Sequence, residues 1–398
     1  MNKDRMVVII SKAIIWSIYI FTLGIFTSKF LIYLGMGFSL IFWLVKIGIL
    51  RKDYKFIKTE YLIPILLFSA SIFISGIGNW NNEILQSKFF YSFIFFFIVV
   101  NEIKEKKIII NLFKLMLFSA TIAALYGLYQ KIFLGINRVT GFTSSLAFGN
   151  FMAVLVAFLS VYLIWGNLKK NQKLLFFVLD LLFLFNLIFT KTRGAWLGFL
   201  AAVFILGLLK GKKILLVSII ILLIIFISLP NVYTERFISS FNIEYDLKTN
   251  RSNTTRIGLW TSAVKMFMNN PINGVGYDQF KQAYINNYKI KGISPFSHSH
   301  NNLLNFAAEL GIIGLLSFLY LMFIVLKRLI IDYKYAININ YKLFYLSSIL
   351  VFVIYNVQGL TQYNFGDTEP LHLFWFFIAI TFIISNLNFN TNSVIKDK

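Results

Sequence analysis

The stretch SHSHNNLLNFAAELGIIG, residues 297–314, sets His298 and His300 just ahead of an apolar run holding Glu309, Gly311 and Gly314. A histidine at a helix start is disfavoured as imidazolium by the positive helix end, and a neutral imidazole is what a general base near neutral pH must be. With Ser297 or Ser299 as the cap, His300 takes that place. The bland alternative is an interfacial histidine bonded to backbone. On a helix His298 would point about 200° away from His300, so the two would not act as one unit. Asn301 either orients a substrate or caps the turn. An acid inside a membrane segment marks a functional site by default, which gives Glu309 a neighbouring arginine as its expected partner. Gly311 and Gly314 would admit a close helix neighbour.

Cations supply the other half of the chemistry. Arg138 lies in GINRVTGFTSSLAFGN, Lys191 and Arg193 in TKTRGAWLG, and Arg256 in NTTRIGLWTSAVKMFMNNPINGVGYDQF. A guanidinium grips phosphate oxygens with two parallel N–H groups, which a lysine cannot match. The Arg256 stretch predicts a helix capped by Asn253 or Thr254, ended before Pro271, with Ile257, Trp260, Val264 and Phe267 on one face. Arg256 in its first turn opposes the helix dipole. Either an anionic ligand holds it there or it pairs with an acid such as Glu235 or Asp246. Arg193 reads as an interfacial anchor or as a ligand group. Gly274 and Gly276 are expected to be structural glycines. Asp367 and Glu369, in GDTEP, are an outward acid pair able to hold a divalent cation, but the histidine pair has no cysteine and no third histidine beside it, and no metal is assigned.

These groups have to be positioned by membrane helices. The 398-residue chain is 58% hydrophobic and 14% charged, more apolar surface than a soluble fold can hide. An all-α polytopic membrane protein follows, with about twelve spans of roughly 20 residues each. They fall near 6–27, 30–50, 61–78, 88–100, 108–130, 147–165, 174–190, 194–209, 214–230, 302–326, 343–360 and 372–387. The organisation is then 1–230 for nine spans, 231–301 for one large outward loop carrying short helices, and 302–398 for three spans and a short tail. The first apolar stretch carries Lys12 and no small-residue cleavage site, which reads as a retained span. A net charge of +22 would suggest nucleic acid in a soluble chain. Here lysine-rich connections explain it, at 51–58, 104–107, 169–173, 210–213 and 327–342. The alternate short connections hold only Lys29, Lys88, Lys131, Arg138, Lys191 and Arg193. The positive-inside rule places both termini in the cytoplasm and the histidines at the outer interface. A lipid-linked diphosphate at that face would want the outer arginines.

The ordered set resembles the O-antigen ligase family of membrane proteins. His300-Asn301, nine residues, then Gly311-x-x-Gly314 matches its H-[NSQ]-x9-G-x-x-G signature. TRGAWLG, the Arg256 stretch and RVTGFTSSLAFGNFMA extend the likeness over about 120–315; the serine often found before the first arginine is Thr192 here. The resemblance implies a glycosyltransferase of the bacterial inner membrane, a polysaccharide ligase of lipopolysaccharide biosynthesis with a periplasmic active site. It would move a polysaccharide from undecaprenyl diphosphate to a sugar of lipid A–core, with inversion and without metal or other cofactor. Arg193, Arg256 and His300 map to the essential residues. Arg138, Lys191, Asn301, His298 and Glu309 stand beside them as substrate-binding candidates. A polymerase of O-antigen or capsular polysaccharide would use the same donor, with a glycan acceptor. A lipid or polysaccharide transporter should instead show paired halves and ionisable groups near the midplane. Membrane lipids are implied partners and nucleic acid is not.

Overall fold

The computed structural model describes residues 3–77, 82–211, 213, 216 and 251–396, and among them every regular element is helical. In chain order these are α1 (Lys3–Gly24), α2 (Lys29–Leu50), α3 (Leu62–Ser75), α4 (Lys88–Glu102), α5 (Lys106–Ile132), α6 (Ser145–Trp165), α7 (Lys170–Phe189) and α8 (Arg193–Lys210). After 251 come α9 (Arg251–Asn269), α10 (Asn302–Tyr335), α11 (Ile339–Gly359) and α12 (Thr368–Lys396), with short turns at Phe280–Ala283 and Tyr284–Tyr288.

Nine helices among the described residues are long and apolar enough to cross a membrane: α1, α2, α5 to α8, and α10 to α12. Of the other three expected spans, α3 and α4 have only 14 and 15 residues. The span near 214–230 falls outside the described residues but for Leu216. The inner face of α4 is buried almost from end to end, which fits a short core helix. The middles of α6, α11 and α12 are the most enclosed, and the remaining helices surround them. On the outside stand Trp16, Phe30, Leu66, Phe118, Leu174 and Phe323, an apolar exterior suited to lipid and not to water.

The histidine helix is backed by rings. Phe306 on α10 lies 5.3 Å from Phe68 on α3, 5.9 Å from Phe89 on α4 and 4.5 Å from Phe318 on its own helix. Such offset pairs add packing energy where lipid tails offer helices no hydrophobic drive to associate.

One break in α10 matters more than its length. Gly311 has φ 65° and ψ −161°, so the helix stops and restarts there. The turn following α9 fills the gap. Val275 and Gly276 N–H donate to the carbonyls of Ala308 and Glu309, while Ile312 and Ile313 N–H donate to those of Pro271 and Ile272. Backbone groups freed by the break are thus satisfied without water, as membrane depth demands. The fit excludes side chains on both sides. A Cβ at Gly311 would lie 2.2 Å from the Ile272 carbonyl oxygen, and one at Gly274 would lie 2.3 Å from the Glu309 carbonyl carbon. The partner admitted by Gly311 is therefore a turn and not the helix expected, and the nearest atom to a Gly314 Cβ belongs to Leu310 of the same helix.

Candidate functional site

Four connections and the ends of the helices beside them meet at a cavity of about 330 Å³. Arg138, Lys191, Arg193, Arg256 and His300 all line it, together with Thr192, Gly194, Thr255, Phe296, Gln358, Thr361 and Gln362. No aspartate or glutamate lines it among the described residues, so four cations face one space. An anion is the complementary occupant.

The α7–α8 turn makes the first wall. Lys191 takes φ 50°, a conformation that a long side chain rarely adopts and that often marks a functional position. Its ammonium donates to Asn137, and the residue is buried. Arg138, in the α5–α6 loop, is tied to the same turn. Its Nε donates to the Thr190 carbonyl at 3.0 Å and its Nη2 to Thr192 Oγ1 at 3.4 Å. Thr192 Oγ1 in turn donates to the Ser145 carbonyl at 2.8 Å. Arg193 opens α8, whose positive end therefore adds to the cationic wall. Gly194 and Gly198 let α11 and the turn after it pass close by: a Cβ at Gly194 would meet Thr361 Oγ1 at 2.5 Å, and one at Gly198 the Ile354 carbonyl oxygen at 2.9 Å.

The second wall is α9. It begins at Arg251, earlier than its sequence indicates, so Asn253 is within the first turn and Arg256 within the second. Asn253 is no cap; its Oδ1 accepts from Arg193 Nη2 at 2.9 Å, joining the two arginine helices. The dipole objection to Arg256 weakens with that extra turn. The face of α9 also differs from expectation. Leu259, Ala263 and Met266 are the buried residues, packed with Phe280, Tyr284, Ile293 and Ala308. Ile257, Trp260 and Val264 lie on the other side, half-buried or exposed, and Phe267 is likewise not fully buried. Both faces are apolar, so periodicity could not choose between them. Ile257 and Trp260, with Leu197, line a second, smaller cavity of about 120 Å³ that shares Arg193 and Arg256 with the first. Glu235 and Asp246, the acids considered for Arg256, lie outside the described residues.

His300 closes the site. The cap of α10 is Asn301 and not Ser297 or Ser299: its Oδ1 accepts from Leu304 N–H at 3.0 Å, and its Nδ2 donates to the Leu360 carbonyl at 2.9 Å. His300 therefore sits one residue before the cap, outside the helix, at φ 56°. His298 is not turned away from it. The two rings are 4.3 Å apart, and His298 Nδ1 accepts from the His300 backbone N–H at 3.2 Å. Since the pair is not on a helix, helical geometry does not govern it. His298 does not line the cavity, and burial first, then His300 and Lys88, push its imidazole down to about 3.

Gln362, in the α11–α12 connection, orients the His300 ring. Its Nε2 donates to Asp367 Oδ2 at 3.3 Å, which turns its Oε1 toward His300 Nδ1 at 3.0 Å. An amide oxygen only accepts, so Nδ1 carries the proton and Nε2 is the basic nitrogen. Burial lowers the His300 pKa, the bond to Gln362 raises it, and the charge of Arg256 lowers it again; the net direction is down. The ring is accordingly neutral near pH 7. Gln362 carries no motif, and nothing in the sequence signals it. Asp367, offered above as half of a cation site, serves here as the amide's acceptor. Glu369 takes a hydrogen bond from Thr143 at 2.7 Å and an ion pair from Lys29 at 3.4 Å.

Glu309 lies away from the cavity and its contacts are not to an arginine. Its carboxylate accepts from Phe280 N–H at 3.2 Å and from Asn305 Nδ2 at 3.0 Å, while Asn305 Oδ1 accepts from Ser299 N–H at 3.0 Å. Glu309 thus ties the segment carrying both histidines to the segment after α9.

Residues 178–319, which span Arg193, Arg256 and His300, match the O-antigen ligase family. A Rickettsia felis protein described as a candidate polysaccharide ligase is 27% identical over 221 residues, 53% of this chain and 51% of its own. Its counterpart in Rickettsia prowazekii is 29% identical over 201 residues, 48% of this chain and 47% of its own. An uncharacterized Haemophilus influenzae protein is 26% identical over 286 residues, 67% of this chain and 71% of its own. The chain spans about half the length of the two Rickettsia relatives. Over residues 178–319, the chain is thus similar to the O-antigen ligase family.

Proposed function

We propose that the chain is a polysaccharide ligase that transfers a glycan from undecaprenyl diphosphate to a sugar of lipid A–core at the periplasmic face of the inner membrane. The observation that carries this reading is the single cavity in which four cations face His300. A glycosyl diphosphate is already activated. The enzyme has only to stabilise charge on the departing diphosphate and to take a proton from the acceptor hydroxyl. Arg193 and Arg256, seconded by Arg138 and Lys191, do the first as preorganised charge. His300 Nε2 does the second. The acceptor oxygen bonds to the anomeric carbon as the carbon–diphosphate bond breaks on the opposite side, so the configuration inverts. No metal or other cofactor enters these steps. The smaller cavity beside Arg193 and Arg256 is walled by Leu197, Ile257 and Trp260, an apolar place for the first isoprene units of a lipid carrier. That supports a lipid-linked donor over a soluble nucleotide sugar.

Deleting the gene tests this in the cell. High-molecular-weight lipopolysaccharide should disappear from outer-membrane extracts while undecaprenyl-linked polymer accumulates. Accumulation of short lipid-linked repeat units would replace this reading with that of a polymerase.

A further inference from the structure

We propose that the groove between α2 and α4 is a binding site for one hydrocarbon chain of a phosphate-bearing bilayer phospholipid, with its phosphate on Lys29. The groove is about 310 Å³, is lined by Tyr33, Met36, Gly37, Leu40, Tyr91, Ile94, Phe95 and Ile98, and is separate from the cationic cavity. Its lining is built at helical spacing on both sides. Residues 33, 36, 37 and 40 make one wall, and residues 91, 94, 95 and 98 the other.

The space exists because Gly37 fails to fill it. A Cβ there would have no heavy atom within 4 Å. Above the groove the chemistry changes sharply. Tyr33 and Tyr91 mark the upper rim, and a lysine stands one turn beyond each, Lys29 at i−4 from Tyr33 and Lys88 at i−3 from Tyr91. The Lys88 ammonium donates to the Gly366 carbonyl. The Lys29 side chain pairs with Glu369 yet is 63% exposed, so it can accept a further anion. Apolar trough, amphipathic tyrosine rim and cationic head follow the order of acyl chain, glycerol level and phosphate in a bilayer lipid. The charge at the rim selects a phosphate over an uncharged head.

The test uses the purified full-length chain in detergent. Phosphatidylglycerol and phosphate-free diacylglycerol are titrated in turn, and bound lipid is counted by native mass spectrometry. The wild type should hold one phosphatidylglycerol more tightly than diacylglycerol. Gly37→Leu should weaken retention roughly tenfold by occupying the trough, with lipid-free melting unchanged. Ile94→Phe, on the other wall, should do the same and stands in if Gly37→Leu melts low. Lys29→Gln should abolish the preference for phosphatidylglycerol while still holding diacylglycerol. Retention in both filled variants equal to wild type, or equal affinity of the wild type for the two lipids, overturns the proposal.

Discussion

Replacing Arg193 or Arg256 with lysine should slow glycan transfer roughly 10²- to 10³-fold, the usual cost of removing one preorganised group that stabilises developing charge. The charge is kept in these variants, so a loss measures the guanidinium fork itself. Arg193 Nη2 also holds Asn253 and with it the register of α8 against α9, so its replacement carries a packing cost besides. The measurement is the initial rate with purified lipid-linked donor, with a melting curve recorded beside it. Unchanged melting with a collapsed rate supports the diphosphate clamp. Wild-type rates in both lysine variants would sink it.

His300→Ala should cost roughly 10²-fold or more, in line with general-base catalysis. His298→Ala should cost less, since that ring reaches no part of the cavity and serves by accepting the His300 N–H. His298→Asn, whose side-chain oxygen can accept the same bond, should recover most of the loss. The sign of the pH dependence follows from the depressed His300 pKa. The neutral base persists below the ordinary histidine value of about 6.5, and activity is lost only as pH falls through the lower folded value. Gln362→Leu removes an acceptor that favours the protonated ring, so the acid limb should move lower still while the maximal rate drops. A merely structural Gln362 would lower the rate and leave the limb in place. A dead His298→Ala beside an active His300→Ala would mean that the base is the other histidine.

Much of this site could be read from residue types. Guanidiniums beside glycines stand out in a chain whose other cations are mostly lysines in alternate connections, and the cavity gathers Arg138, Arg193 and Arg256 with His300. The positions of most long spans follow from hydropathy for the same reason. Other features were hidden by degeneracy. Gln362 is one amide in a polar connection, and its role depends on Asp367 fixing which end faces the ring. Gly274 and Gly311 each admit several readings alone, and only the packed structure pairs them as two sides of one contact. The buried face of α9 could not be chosen because Leu259, Ala263 and Met266 are as apolar as Ile257, Trp260 and Val264. The cap of α10 was misplaced because serines and asparagines crowd 297–302, and any of them can accept an amide.

The most direct test of the central claim is a reconstituted reaction with the purified chain, undecaprenyl-diphosphate-linked polysaccharide and lipid A–core, run with a chelator present. Ligated glycan and free undecaprenyl diphosphate should form in equal amounts, with the new linkage inverted at the anomeric carbon. Retained configuration, or no release of the lipid diphosphate by a folded protein, would contradict it.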